Sequence, residues 1–205
     1  MTISTDVLRL DADTQRMLFV DARSPLAFSD SPVEVDAIRA AYDLVKWGPT
    51  ASNSMPLRIA IADSDDARGV VLGAASAGNR VKVETAPMVI VVAADGNYHR
   101  LSHITSPSVV GLEEKLEAAP ERRVATAASN TWIQLGYLIV GLRAAGLAVR
   151  PMSGFDMAAI TDRLFADSGW SAQAVLAVGY PAAEGEDGTP PRAGRPAWDD
   201  AATVL

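Results

Sequence analysis

Residues 132–149 read WIQLGYLIVGLRAAGLAV, the most apolar run of the chain. Its length approaches the roughly 20 residues that a bilayer span requires, so the first decision is between membrane and core. Gln134 and Arg143 interrupt the run, Gly136, Gly141 and Gly146 dilute it, and the preceding ERRVATAASNT carries the same helical spacing into polar residues. A helix apolar on most of its circumference in such a setting is a buried central helix or a subunit interface, not a span. The pattern predicts one long helix over Glu121–Ala145, with Gly146 placed to end it.

Working outward, PMVIVVAA at 87–94 is a continuous apolar run of the kind found when both faces of a sheet are covered. LRIAIAD at 57–63 and QAVLAVGY at 173–180 read as further strands, with a short one near Ala148. Helices are expected over Thr14–Val20, from Ser31-Pro32 to Gly48-Pro49 with Val35, Ile38, Tyr42 and Val45 in helical spacing, over Asp65–Ala75, and over Met157–Ala166. Gly78-Asn79 reads as a helix break and RPMSGFD at 150–156 as a turn, while residues 97–120 give only loops and short helices. The Pro-, Gly- and charge-rich end, about 181–205, reads as an extended arm on a single domain spanning 1–205. About three strands among five or more helices, without βαβ alternation, indicate an α+β fold.

Composition removes several functions. A chain of 205 residues, 49% apolar, suffices for one core that buries about 70% of the unfolded surface. Its formal charge of −7 offers no general basic field to a phosphate backbone, so nucleic acid is not an expected partner. The absence of cysteine excludes disulfides, thiolate metal sites and a Cys nucleophile. MTISTDVLRLDADTQ lacks the basic, apolar and cleavage regions of a signal peptide, which makes a cytoplasmic protein the expectation.

No G-x-G-x-x-G follows a strand, and Gly73–Gly78 has P-loop spacing but leads into Asn79-Arg80 instead of Lys-Ser/Thr. His99 and His103 are four apart without a third ligand, so no metal site is expected, and no G-x-S-x-G elbow supports a serine triad. What remains is a scattered set of small polar, glycine and basic residues. It comprises Arg23-Ser24, Pro49-Thr50-Ala51-Ser52-Asn53, Asn79 with Lys82, Pro151-Met152-Ser153-Gly154, and Arg192 and Arg195 in the arm. Arginine forks suit a phosphate, and turn N–H groups with Ser, Thr and Asn side chains suit a flat hydrogen-bonding heterocycle.

In LFVDARSPLAF, PVEVDAIRAAYDLVKWGPTASNSMP, SAGNRVKVETAPMVIVVAAD, YLIVGLRAAGLAVRPMSGFD and PPRAGRP, the chain resembles the nitroreductase family of FMN-dependent oxidoreductases. KWGPTASNSMPLR and PMSGFD look most like the branch that holds malonic semialdehyde reductases and NADH dehydrogenase/NAD(P)H nitroreductases. The resemblance implies a three-layer α+β fold, a mostly antiparallel or mixed sheet flanked by helices, and a homodimer with the long helix at its core and two FMN sites at the interface. It further implies that Arg23 and Ser24 meet the FMN phosphate and ribityl chain together with Arg192 or Arg195. Pro49, Thr50, Ser52 and Asn53 would line the flavin from the partner subunit, Asn79 and Lys82 would meet its pyrimidine edge, and Pro151, Met152, Ser153 and Gly154 would pass along the ring. Hydride would move from NADH or NADPH through flavin N5 to a small electron-poor acceptor, such as an aldehyde like malonic semialdehyde, a nitroaromatic or a quinone. No side chain would act as nucleophile or base, and Lys82 would support the charge of the reduced ring. Ala22 stands where many members carry a basic residue, and Ser153 where the wider family has Glu. The alternatives are a flavin-dependent dehydrogenase or oxidase of a specialised pathway, and a non-catalytic protein that keeps the fold.

Overall fold

The computed structural model describes residues 8–183 and 188–205; the start of the N-terminal stretch read for a leader, and 184–187 of the arm, lie outside the described residues. In chain order the elements are α1 (Ala12–Gln15) running into a π-helical turn (Arg16–Val20), α2 (Val35–Val45), β1 (Leu57–Ile61), α3 (Asp65–Ala74), α4 (Ala77–Glu84) and β2 (Met88–Asp95). After a 3₁₀ turn (Tyr98–Leu101) follow α5 (Ser102–Thr105), α6 (Leu112–Glu117), α7 (Pro120–Ala144), β3 (Ala148–Met152), α8 (Met157–Leu164), β4 (Trp170–Gly179) and α9 (Trp198–Ala201).

The four strands form one sheet in the order β1-β2-β4-β3, and every pairing among them is antiparallel. Strand β2 is buried at all eight positions because its two faces serve two cores. Ile90 and Val92, with Leu176 and Val178 of β4, face Leu135, Leu138 and Leu142 of α7 and Ile38 of α2. Val89, Val91 and Ala93, with Val175 and Ala177, face Val71 of α3, Val83 of α4 and Ile160 of α8. The alternation is the period-2 rule applied with both faces covered. It slips once: Val92 pairs with Ala174 and Ala93 with Ala172, leaving Gln173 as the extra residue of a bulge. Ala172 and Ala174 consequently face opposite cores although they are two apart.

Helix α7 begins with Pro at its first turn and ends in a Schellman motif: Gly146 takes φ +78°, Gly146 N donates to the Arg143 carbonyl at 2.9 Å, and Leu147 N donates to the Leu142 carbonyl at 3.0 Å. Its buried stripe runs through Ala127, Thr131, Leu135, Leu138 and Leu142. Trp132, Ile133 and Tyr137, on another side, remain between 42% and 48% exposed, so a single chain covers only part of the apolar circumference. Gly141 lies where α2 crosses: a Cβ there would stand 2.9 Å from the Ala41 carbonyl oxygen and 2.6 Å from Val45 Cγ1.

Four local expectations are corrected. Helix α2 starts at Val35, not at Ser31-Pro32, because Val33 packs against the α7-side core and holds the preceding segment out of the helix. Gly78-Asn79 does not break a helix but lies inside α4; the break falls at Ala75-Ser76, where Ala75 bridges to Phe155 and Ser76 N donates to the Gly154 carbonyl at 3.1 Å. The RPMSGFD turn is shorter than read, since Pro151 and Met152 belong to β3 and pair with Leu176 and Val175. The sheet has four strands among the described residues, one more than the three or so counted in the sequence, and all of them pair antiparallel, as the mostly antiparallel reading expected.

Candidate active site

The predicted residues fall into three clusters. The first surrounds the start of α4 and the end of β3. One α-helical turn separates Asn79 from Lys82, which places both side chains on one face. Lys82 Nζ donates to Asn79 Oδ1 at 2.9 Å, and Asn79 Nδ2 donates to the Gly154 carbonyl at 3.1 Å. A Cβ on Gly154 would lie 2.7 Å from Asn79 Nδ2 and 3.2 Å from Ser76 Oγ, so only glycine lets this backbone approach so closely. Met152 is buried, whereas Pro151, Ser153 and Gly154 are exposed, which leaves a stretch of accessible backbone beside a fixed ammonium group.

The second cluster is cationic. Arg23 and Ser24 lie in the loop after the π-helical turn, and the Arg23 guanidinium donates to the Pro190 carbonyl. Arg192 Nη2 donates to the Ala22 carbonyl at 2.7 Å, which brings the arm back onto this loop. Arg195 instead bonds the carbonyls of Ala193 and Gly194 in its own loop. A cavity of about 280 Å³ opens here, with Arg23 and Arg143 among its walls. The sequence reading missed Arg143, taking it as an interruption of the apolar run. Its Nη1 donates to the Leu18 carbonyl at 2.9 Å, and burial, then the charge of Arg192, lower its pKa from the usual arginine value. Three guanidinium groups held together in this way match an anion with several oxygens.

The third cluster is the loop 49–55. Ser52, Asn53 and Met55 all take positive φ, 53°, 51° and 47°, a left-handed geometry uncommon for residues other than glycine. The loop is held by side chains that sequence reasoning did not single out. Asn130 Oδ1 accepts from Ala51 N at 2.7 Å, and Gln134 Oε1 accepts from Leu57 N at 2.9 Å, so two buried polar residues of α7 fix both ends of the segment. Thr50 Oγ1 accepts from Met55 N, Asn53 Nδ2 donates to the Thr105 carbonyl, and Ser106 Oγ donates to the Ser52 carbonyl. Pro49 is exposed just ahead of these residues. The only advance signal for Asn130 and Gln134 was polarity at apolar positions of α7.

The bonds tie the third cluster to 105–106 and α7, whereas those of the first run between α4 and the end of β3. His99, read from the sequence as no metal ligand, is a buried hydrogen-bonding residue. It is 1% exposed, and Nε2 meets the Glu117 carboxylate, which also accepts from Arg123 Nη1 at 2.7 Å.

The family model for the nitroreductase family matches residues 21–180, which includes all of this geometry except the arm and Leu18. The chain belongs to the nitroreductase family. It is 37% identical over 183 residues to a candidate NADH dehydrogenase/NAD(P)H nitroreductase of Streptomyces coelicolor, covering 89% of this chain and 90% of that one. Among solved structures, a candidate nitroreductase of Bacillus subtilis superposes with a TM-score of 0.78 at 16% identity, over 95% of this chain and 99% of that one. A candidate nitroreductase of Exiguobacterium sibiricum, solved in complex with FMN, gives 0.74 at 16% identity over 96% and 99%. The family fold, an antiparallel sheet between helical layers, is therefore that of this protein.

Proposed function

We propose that this nitroreductase-family protein is a homodimeric, FMN-dependent NAD(P)H oxidoreductase. The hydrogen-bonded line Lys82–Asn79–Gly154 carries the reading, because it fixes a positive charge beside exposed backbone that glycine keeps open. The residues fit the cofactor: Arg23, Arg143 and Arg192 suit its phosphate, Ser24 the ribityl chain, and Asn79 and Lys82 the pyrimidine edge. Pro151 to Gly154 would pass along the ring. The structural neighbour's FMN complex and the nicotinamide-linked name of the Streptomyces relative support the same assignment.

FMN, when bound, supplies two-electron chemistry, taking hydride from a reduced nicotinamide and giving it to an acceptor. The chain's part is to bind and orient. Lys82 holds a cation where the reduced ring would carry negative charge, and the bond to Asn79 keeps it there without reorganisation. The uncovered face of α7 supports dimerisation. Trp132, Ile133 and Tyr137 lie exposed, and Trp47, 83% exposed, adjoins Gly48, where a Cβ would stand 3.0 Å from the Tyr137 ring. A second copy on that face would bring its 49–55 loop, with Thr50, Ser52 and Asn53, to complete a site that one chain builds only in part. A small electron-poor aldehyde of the malonic semialdehyde kind, a nitroaromatic or a quinone fits such a two-step hydride relay.

The test is the visible spectrum of the protein supplemented with FMN, before and after anaerobic NADH and then NADPH. A bound flavin that bleaches with either is the expected result. A bound flavin that stays oxidised with both favours a substrate-driven dehydrogenase, and failure to bind FMN overturns the assignment.

A further inference from the structure

A second cavity, of about 240 Å³, lies between the 49–55 loop and the helical segment 98–126. Its walls include Ser52, Ser54, Tyr98, His99, Lys115 and Arg122. Leu112 and Leu116 add apolar surface, and among the described residues no acidic side chain belongs to its walls. Two of the buried side-chain atoms that lack a hydrogen-bond partner among the described residues belong to residues of this wall: Ser54 Oγ, in a residue 4% exposed, and His99 Nδ1, in a residue 1% exposed. Buried polar atoms without partners are rare, and two in residues of one wall single out this cavity as a place where a guest would meet unused hydrogen-bonding capacity.

The charges select its chemistry. Lys115 and Arg122 are exposed, and neither is engaged in an ion pair among the described residues. The neighbouring carboxylate, Glu117, is already shared by His99 and Arg123. The cavity thus has two cations without ion pairs at its margin, the buried Ser54 hydroxyl in a wall residue, and apolar surface. A volume well below the usual drug-sized pocket calls for a small ligand.

We propose that this cavity seats a small organic acid, with Lys115 and Arg122 holding its carboxylate and Ser54 Oγ donating a hydrogen bond to it. Because Ser52 belongs both to this wall and to the loop assigned to the partner's flavin, the cavity selects carboxylate-bearing acceptors; this last step rests on the oxidoreductase reading.

Equilibrium dialysis of the FMN-supplemented protein against 4-nitrobenzoate and its neutral isostere 4-nitrobenzamide tests the site without turnover. The wild type should hold the acid about fivefold more tightly than the amide, the range of a charge-assisted contact discounted for exposure. The double variant Lys115→Gln/Arg122→Gln should bring that ratio below about twofold while leaving amide binding in place, and Lys115→Arg/Arg122→Lys should restore it. Equal binding of acid and amide by the wild type, or a preference unchanged in the double Gln variant, overturns the proposal. A flavin that NADH and NADPH fail to reduce, with the dialysis preference intact, overturns the oxidoreductase reading and leaves the carboxylate site standing.

Discussion

Replacing Gly154 by alanine tests the Lys82–Asn79–Gly154 line with one methyl group. The new Cβ would stand 2.7 Å from Asn79 Nδ2, and ordinary contact begins near 3.4 Å, so the amide must withdraw by about 0.7 Å. That movement breaks the 3.1 Å bond from Asn79 to the Gly154 carbonyl, while the backbone bond from Ser76 N to the same oxygen remains. One net hydrogen bond contributes about 1 kcal/mol. For a chain of this size such a loss lowers Tm by about 3 °C, which differential scanning fluorimetry resolves. Lys82 keeps its bond to Asn79 and moves with it, so the charge leaves its place beside the 151–154 backbone. FMN affinity, followed by quenching of flavin fluorescence, should fall about fivefold, the equivalent of the same 1 kcal/mol. The rate of anaerobic flavin reduction by NAD(P)H should fall further than that. Asn79→Ala should weaken FMN binding without any clash, which separates loss of the amide from crowding. An FMN affinity, reduction rate and Tm all unchanged in Gly154→Ala would refute the reasoning.

Gly141→Ala forces a methyl group against the Ala41 carbonyl at 2.9 Å, and should cost about 2 kcal/mol and lower Tm by about 6 °C in a thermal melt. If the protein is the proposed homodimer, Ile133→Glu, which places a charge on the exposed apolar face of α7, should halve the mass measured by light scattering. Glu117 has its pKa lowered from 4.5, first by the hydrogen bond with His99 and then by Arg123. A depressed carboxylate stabilises the fold above its unfolded pKa, and the contribution is lost as pH falls through the folded value. Hydrogen exchange across 98–126 should therefore quicken as pH drops below about 4.5, after correction for intrinsic rates, and Glu117→Gln should abolish that acid-dependent change.

The strands and the long helix were legible because their signals are summed over many residues. Strand β2 is an unbroken apolar run, and α7 combines helical spacing with a terminal glycine. What was misread depends on contacts distant in sequence. Gly78 and Asn79 look like a break, yet the break falls at Ser76, where the Gly154 carbonyl accepts its N–H. Ser31-Pro32 carries start signals for a helix, but Val33 is held by the core. At the candidate site, local residue types picked out Asn79, Lys82 and Gly154, and the structure places them in contact. The roles of Arg143, Asn130 and Gln134 were not legible because their polarity within α7 looked like dilution of an apolar helix. Their partners, Leu18, Ala51 and Leu57, are all far away along the chain.

Strand β3 carries Pro151 and forms one margin of the sheet. Proline has no N–H to give, and in a sheet it is tolerated where the missing donor would have pointed to open solvent. A foreign strand docking along β3 would therefore meet a gap in the ladder at that residue, the first of the stretch proposed to pass along the cofactor. Sheet-to-sheet accretion, the usual hazard of an open margin, is blocked at the same place where access by a small planar molecule is wanted.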